Sequence, residues 1–283
     1  MTTDDRERRN KDERVSMDFS LKQGTFSTGL PYLAFGSGKP LVYLSGFTMT
    51  HTVPPPGPQR GRAARLVAPF VAGGYEVFWT NRRPGMAAGM TMGDVAAEHA
   101  EALRTRFAGP VPVLGHATGG SIALQLAVDH PEVVDRLVLA STAYALGPVG
   151  RHFHRDMVAA AGRGRSGMHR AAPGITRNPV LQRLLVAPLW LAGRLNPPPP
   201  DPSDMTAMLL AEDSFDVRDR LAEVTAPTLV LCGGRDHLWP PEMFDRTAAG
   251  IPGARLVRYA RRGHNILAAP EFVQDVRSFL DAP

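Results

Sequence analysis

Two patterns of hydrophobic and polar positions alternate along most of the chain. Short apolar runs of the length and β-branched content of buried strands occur at residues 40–44, 75–80, 111–114, 133–139, 227–231 and 254–259. Stretches with helical spacing separate them, at residues 63–72, 91–107, 121–128, 241–249 and from about 266 to 280. Strands that alternate with helices predict a mostly parallel, doubly wound α/β sheet covered on both faces.

Three stretches depart from this alternation. Residues 19–35 alternate apolar and polar positions around turn signals, which predicts a leading antiparallel hairpin. Residues 146–217 contain helix-like segments separated by Gly-Arg and Pro-rich stretches, and we expect an all-helical insertion there. Residues 1–16 are almost wholly charged or polar, so we expect a disordered tail. The predicted core therefore comprises residues 17–145 and 218–283, and residues 146–217 form the predicted cap.

Composition places the chain among globular proteins that need no membrane or disulfide. Of its 283 residues 43% are hydrophobic and 21% are charged, and no apolar run approaches the ~20 residues of a membrane helix. The first residues lack the apolar run of a secretory signal, and Cys232 is the only cysteine. We therefore expect a cytoplasmic protein with no membrane partner.

The positive charge of the chain is dispersed. The formal net charge is +5, and all but three of the 32 basic residues are arginines. They do not gather into one basic stretch with interleaved aromatic residues, as a nucleic-acid surface requires. We expect no nucleic-acid partner.

The most informative stretch is residues 110–128, which is read PVPVLGHATGGSIALQLAV. A buried strand runs through a glycine-rich turn, residues 115–120, directly into a helix, which is the setting of a nucleophile elbow. A dinucleotide-binding turn needs G-x-G-x-x-G, and a phosphate-binding loop needs Lys before Ser or Thr; neither pattern fits this turn. Small neighbours let such a turn lift one side chain above the sheet, and here that residue is Ala117.

Two further polar residues follow later strands. Asp236 comes after the strand at 227–231 and a pair of glycines, and His264 comes after the strand at 254–259. One helix and one strand lie between them, so both loops are expected at the same edge of the sheet, above residue 117. The simpler alternative is a capping aspartate and a surface histidine that never meet.

The order of elbow, insertion, acid and histidine resembles the α/β-hydrolase family of esterases, lipases and thioesterases over about residues 25–283. The resemblance implies that residue 117 is the nucleophile position, with His264 as the base and Asp236 orienting it. It also implies an oxyanion hole built from the backbone N–H groups of Phe47 and Thr118. The insertion then corresponds to the family's helical cap, which closes over the cleft. The chain departs from the family pattern at Ala117, and at Ser45, where many relatives have histidine.

Other polar residues near these motifs are weaker candidates. Ser45, His51, His237 and Trp239 are candidates for the substrate pocket, whereas the side chain of His116 is expected to point away from the cleft. The cap histidines lack metal-ligand spacing, so neither a metal nor a cofactor is expected.

An alanine at the apex leaves two explanations open, because alanine cannot attack a substrate. Either the chain is a Ser-to-Ala form, made in the laboratory, of a hydrolase that cleaves an ester, thioester or related carbonyl substrate, or it is a natural non-hydrolytic protein. The second would be a ligand-binding module, or an enzyme that uses His264 and Asp236 as a general base without a covalent intermediate. The intact acid, base and oxyanion turn favour the first. The expected partner is a small-to-medium hydrophobic carbonyl substrate, bound by a monomer or homodimer.

Overall fold

A computed structural model describes residues 19–282, and the predicted tail at residues 1–16 lies outside them. The described residues form one eight-stranded sheet with the strand order β1-β2-β4-β3-β5-β6-β7-β8. The strands are β1 Leu21–Thr25, β2 Pro31–Phe35, β3 Lys39–Leu44, β4 Tyr75–Thr80, β5 Val111–His116, β6 Val134–Ala140, β7 Thr228–Gly233 and β8 Arg255–Tyr259. β1, β2 and β4 pair antiparallel in that order, and every other neighbouring pair is parallel. The mostly parallel α/β sheet and its leading hairpin are confirmed.

Five of the helices described here cover the two faces of this sheet. The helices of residues 19–282 are α1 Pro58–Ala72, α2 Met92–Arg106, α3 Thr118–Asp129, α4 Pro148–Ala161, α5 Ala172–Ile175, α6 Pro179–Leu195, α7 Ser203–Ser214, α8 Pro241–Gly250 and α9 Phe272–Leu280. Alternate residues of each strand point to opposite faces, so Val42 and Leu44 enter one core cluster while Leu41 and Tyr43 enter the other. Helices α2, α3 and α8 pack on the first face, and α1 and α9 on the second.

Two helices begin earlier than the apolar pattern predicts. Helix α1 starts at Pro58, after Gly57, because proline at the first helical position already has the required φ, and its first turns are polar. Helix α3 starts at Thr118, directly after the apex of the turn, and not at Ser121. In both cases helical backbone extends beyond the apolar stripe from which the helix is inferred.

The segment between β6 and β7 contains helices α4 to α7 and two 3-10 turns, Met168–Ala171 and Arg218–Glu223, with no strand among its residues. Its inner face is apolar. Met157 and Ala161 of α4 cluster with Met205 and Leu209 of α7, and Phe47 packs against this cluster. The cap segment thus rests directly on the loop that follows β3.

The single cysteine of the sequence lies within the sheet. Cys232 is fully buried inside β7, which continues to Gly233, and burial raises the pKa of its thiol to about 11.

In the part of the chain that the structure describes, no helix combines the length and the apolar character needed to cross a membrane.

Candidate active site

The turn between β5 and α3 holds Ala117 in an unusual backbone conformation. Its φ is 49° and its ψ is −120°, a combination that costs a side-chain-bearing residue about 1–3 kcal/mol. The Ala117 N–H donates to the carbonyl of Ala140 at 2.9 Å, and its own carbonyl accepts from Gly120 and Ser121. The strain is therefore held in place by hydrogen bonds, and the turn has the geometry of a nucleophile elbow.

Close packing explains the glycines around the apex. A Cβ on Gly119 would collide with the carbonyl oxygen of Leu44, and a Cβ on Gly115 would lie 2.6 Å from Cα of Gly120. A Cβ on Gly46 would lie 3.5 Å from Cβ of Ala117, so the loop after β3 passes directly beside the apex. Only residues without side chains allow these three segments to approach so closely.

Asp236 and His264 meet at the same edge of the sheet. Nδ1 of His264 donates to Oδ2 of Asp236 at 2.9 Å. Oδ1 of Asp236 accepts the backbone N–H groups of Leu238 and Trp239 at 2.9 and 3.2 Å, and the carboxylate is fully buried. Since Nδ1 is occupied, Nε2 is the nitrogen of His264 that is free to accept a proton.

Two neighbours fix the position of His264. The indole of Trp239 stacks on the imidazole with ring centroids 5.2 Å apart and planes within 10°, while its own N–H donates to the carbonyl of Ala145. Ser141, at the end of β6 with φ 53°, donates its hydroxyl to the carbonyl of His264 at 2.6 Å. The loop that carries the histidine is therefore tied to the neighbouring strand ends.

His116 lies closer to the candidate site than the sequence indicates. Its ring lies 5.8 Å from the ring of His264. Strand alternation gives the side of the sheet on which a residue lies, but not which loop folds over that side. Burial and, secondarily, the neighbouring His264 lower the pKa of His116 to about 3, so it is neutral at neutral pH.

The loop after β3 is held by a buried arginine. The guanidinium of Arg82 donates to the carbonyls of Ser45 and Gly46 at 3.2 and 3.0 Å and to the hydroxyl of Thr48 at 2.8 Å. Burial lowers the pKa of Arg82 to about 10, which leaves it charged at neutral pH. Within residues 19–282 the N–H groups of Phe47 and Thr118 donate to no other backbone or side-chain group, so both are available to a ligand oxygen.

A second buried charge lies behind the elbow. The carboxylate of Glu212 on α7 is fully buried and accepts the hydroxyls of Thr118 and Ser121, both at 2.8 Å. His154 of α4 approaches the same carboxylate, at 3.9 Å. Because these hydroxyls lie in the first turn of α3, the negative charge also faces the positive end of that helix. Glu212 thus joins the cap segment to the elbow.

The weaker pocket candidates are placed differently from one another. Ser45 lines a groove of about 550 Å³ that also includes Thr48, Met49 and Leu195. His51 is buried, with Nδ1 3.1 Å from the carbonyl of Arg83, and burial lowers its pKa to about 4. His237 lies beside Asp236, and its pKa is lowered by burial and by Arg177 of the cap segment. Of these residues, only Trp239 touches the His264 ring.

The sequence reasoning missed Arg82, Ser141 and Glu212. The available signal was a charged residue next to an apolar run, as for Glu212, which follows the run 208–211. Nothing local, however, indicates that its partners lie 91 and 94 positions earlier in the chain.

This fold and this strand-edge site are those of an α/β hydrolase. Residues 89–271 match the family model described as serine aminopeptidase, S33, and the chain belongs to this family. It is 31% identical over 205 residues to "Putative carbamate hydrolase RutD" of Serratia proteamaculans, covering 67% of this chain and 72% of that one. It is 28% identical over 171 residues to the pimeloyl-[acyl-carrier protein] methyl ester esterase of Neisseria meningitidis, covering 58% of this chain and 66% of that one.

A solved structure with the same fold is that of carboxylesterase CesB from Bacillus subtilis. The TM-score is 0.65 at 22% identity, with 98% of this chain and 97% of the other covered. These similarities support a hydrolase function for the chain.

Three buried histidines predict that the protein loses stability in acid. Burial lowers the pKa of His51 and His99 to about 4 and that of His116 to about 3, from 6.5. Below pH 6.5 the unfolded chain binds protons that the folded chain does not, so the free energy of unfolding falls as the pH is lowered towards 4. Urea unfolding at several pH values gives the free energy of unfolding as a function of pH. Near pH 5 the slope of this curve should correspond to about three protons taken up when the chain unfolds. A free energy of unfolding that does not change between pH 7 and 5 contradicts this prediction.

Glu212→Gln is expected to lower the free energy of unfolding by about 1–3 kcal/mol. The amide replaces one acceptor oxygen, so one of the two buried hydroxyls must reorient or lose its partner. Urea unfolding measures the change, and Glu101→Gln, at an exposed position of α2, is the matched control, with an expected change within about 0.5 kcal/mol. Equal effects of the two substitutions would show that the buried carboxylate contributes nothing specific.

Proposed function

We propose that this chain is the nucleophile-free form of a hydrolase that cleaves an ester, thioester or carbamate-like carbonyl compound by Ser-His-Asp acyl transfer. The observation that carries the proposal is the 2.9 Å bond between His264 and Asp236, at the same strand edge as a strained elbow with Ala117 at its apex. An elbow with φ 49° costs conformational free energy, and at Ala117 this strained turn presents only a methyl group. The same backbone would aim a serine hydroxyl into the cleft.

The roles of the residues follow from this arrangement. With serine at position 117, its Oγ would form a bond to the carbonyl carbon while His264 Nε2 takes the hydroxyl proton. The carbonyl oxygen would become an oxyanion held by the N–H groups of Phe47 and Thr118. The leaving group would depart with the proton from His264, and water, activated by the same nitrogen, would then release the acyl group. Asp236 would stabilise the imidazolium formed in both stages.

The substrate class is supported by the groove and by the relatives. The groove beside Ser45 is lined by a mixture of threonine, methionine, valine and proline side chains. A space of about 550 Å³ suits a small-to-medium molecule; its lining includes Ser45 of the β3 loop, and neither Ala117 nor His264 is part of it. The relatives are named "Putative carbamate hydrolase RutD" and pimeloyl-[acyl-carrier protein] methyl ester esterase, and hydrolysis of carbamates and of esters both takes place at a carbonyl carbon. A buried, unpaired cysteine is consistent with a cytoplasmic location.

The second candidate function is supported by Ala117 itself. A protein with this residue at the apex could use His264 and Asp236 as a general base on a bound substrate, with no covalent intermediate, or could only bind its ligand. Neither variant of this second candidate needs a side chain at position 117. The two candidates therefore make opposite forecasts for the substitution of that residue.

Ala117→Ser is expected to raise the rate of ester hydrolysis by about 10³-fold or more, because it supplies the missing nucleophile to an assembled site. The assay uses short p-nitrophenyl esters, acyl thioesters and aryl carbamates, and compares kcat/KM with the unsubstituted chain. The matched control is Ala117→Ser combined with His264→Ala, which should return the rate to that of the unsubstituted chain. A serine variant that is inert on the whole panel would sink the acyl-transfer proposal.

The unsubstituted chain is expected to bind its substrate without changing it. The backbone donors at Phe47 and Thr118 do not depend on the side chain of residue 117, so the carbonyl oxygen keeps its binding site. After incubation with the same panel, the bound compound is recovered and identified by mass spectrometry. Intact ligand supports the proposal. A chemically altered ligand whose formation disappears in His264→Ala would instead establish the general-base alternative.

A further inference from the structure

Helix α6 of the cap segment presents large apolar side chains to solvent. Its outward residues are between 44% and 73% exposed: Val180, Leu181, Leu184, Val186, Trp190, Leu191 and Leu195. The helix packs inward through its Leu185, Leu189 and Gly193 side, against the turn Met168–Ala171 and helix α5. A surface helix of a globular protein normally presents polar residues on its outer face, and an apolar patch of this kind marks an interaction surface.

The exposed apolar residues surround most of the helix. At about 100° per residue they span roughly 220° of its circumference, and the inward residues occupy the remainder. A protein partner contacts a helix mainly from one side, whereas a helix lying in a membrane surface is surrounded by lipid on its flanks as well. The distribution of these side chains therefore fits a partly submerged helix.

The stretch of chain around α6 is mainly positive, with Asp156 the one acidic residue that shares a pocket with its arginines Arg170 and Arg183. Residues 157–200 contain six arginines and no Asp or Glu. All six are exposed, and among residues 19–282 none of them forms an ion pair: Arg163, Arg165, Arg170, Arg177, Arg183 and Arg194. Arginines beside an apolar interfacial helix are complementary to a surface of anionic lipid headgroups.

A groove next to α6 combines both properties. It has a volume of about 480 Å³ and is lined by Arg165, His169, Trp190 and Arg194, among other residues. The guanidinium of Arg194 lies 5.2 Å from the centre of the Trp190 ring. Neighbouring tryptophan and arginine side chains are typical of the headgroup region of a bilayer. There the indole ring packs against lipid and the guanidinium binds lipid phosphate.

A second copy of the chain fits this surface less well. Two identical patches related by a twofold axis would bring the arginines of one copy against those of the other, with no carboxylate among residues 157–200 to separate them. A phospholipid surface supplies the missing negative charge.

We propose that helix α6 and the six arginines dock the cap segment onto an anionic phospholipid bilayer, with the helix in the plane of the membrane surface. The expectation of no membrane partner rested on the absence of a membrane-spanning helix, and it does not apply to a helix that lies on the surface. The C-terminal end of α6, at Leu195, borders the groove that contains Ser45. Docking does not depend on the proposed function, since it involves none of the residues assigned to the reaction.

The test is co-sedimentation of the full chain with large unilamellar vesicles. One set contains phosphatidylcholine alone and the other phosphatidylcholine with phosphatidylglycerol, each at about 0.1 M and 0.5 M salt. We expect binding to the anionic vesicles that weakens at high salt, and much weaker binding to the zwitterionic ones.

Surface variants separate the apolar and charged contributions. Leu184→Ser with Leu191→Ser should reduce binding to the anionic vesicles at both salt concentrations. Arg165→Ser with Arg194→Ser should reduce it by about fivefold for each arginine at low salt. The matched controls are Leu21→Ser on β1 and Arg246→Ser with Arg255→Ser, all at exposed positions outside the cap segment, which should leave binding unchanged.

Three results would overturn the proposal. One is a chain that stays in the supernatant with anionic vesicles at low salt. Another is a dimer, seen by analytical ultracentrifugation, that Leu184→Ser dissociates while no vesicle binding is found; the partner is then a second copy. The third is binding to soluble polyglutamate that equals vesicle binding and ignores the leucine substitutions, which would indicate an acidic protein partner.

Discussion

The close approach of the first turn of α3 to the end of β3 is the constraint on which the candidate site depends. Gly119 lies so near the carbonyl of Leu44 that no side chain fits between them, and Gly46 passes within van der Waals reach of Ala117. This contact brings the backbone before Phe47 close to the backbone before Thr118. The guanidinium of Arg82 donates hydrogen bonds to the β3 loop, and the carboxylate of Glu212 accepts a hydrogen bond from the first turn of α3. Two buried charges of opposite sign therefore stabilise two adjoining backbone segments, each through hydrogen bonds to groups that would otherwise lack partners.

Local sequence determined some parts of this arrangement and not others. The strands could be predicted because runs such as residues 227–231 are apolar and β-branched, and the meeting of Asp236 with His264 followed from the rule that parallel strands end at one edge. The partners of Glu212 and Arg82 could not, because a buried polar group is satisfied by whichever residue the tertiary fold brings near it. His116 illustrates the same limit, since its environment is set by the distant loop that carries His264. The start of α3 was misplaced because helical backbone begins at the turn, before the apolar positions do.

The cap segment reverses the usual distribution of polar and apolar groups. Helix α7 buries a carboxylate against the elbow, while helix α6 exposes leucines and a tryptophan. The buried carboxylate is stabilised because it accepts two hydroxyls and faces a helix N-terminus. The exposed leucines gain nothing comparable within the described residues, and their burial requires a surface outside them. Helix α7 of the cap segment therefore packs against the sheet domain, whereas the large apolar side chains of helix α6 remain exposed to solvent.

The backbone conformation at residue 117 also bears on how easily a serine could replace alanine there in the course of evolution. Its left-handed φ and the glycine contacts around it do not depend on the side chain, so the framework for a nucleophile is complete whether or not one is present. Every alanine codon becomes a serine codon by a change of its first base. A single base change would therefore place a serine hydroxyl on this same backbone.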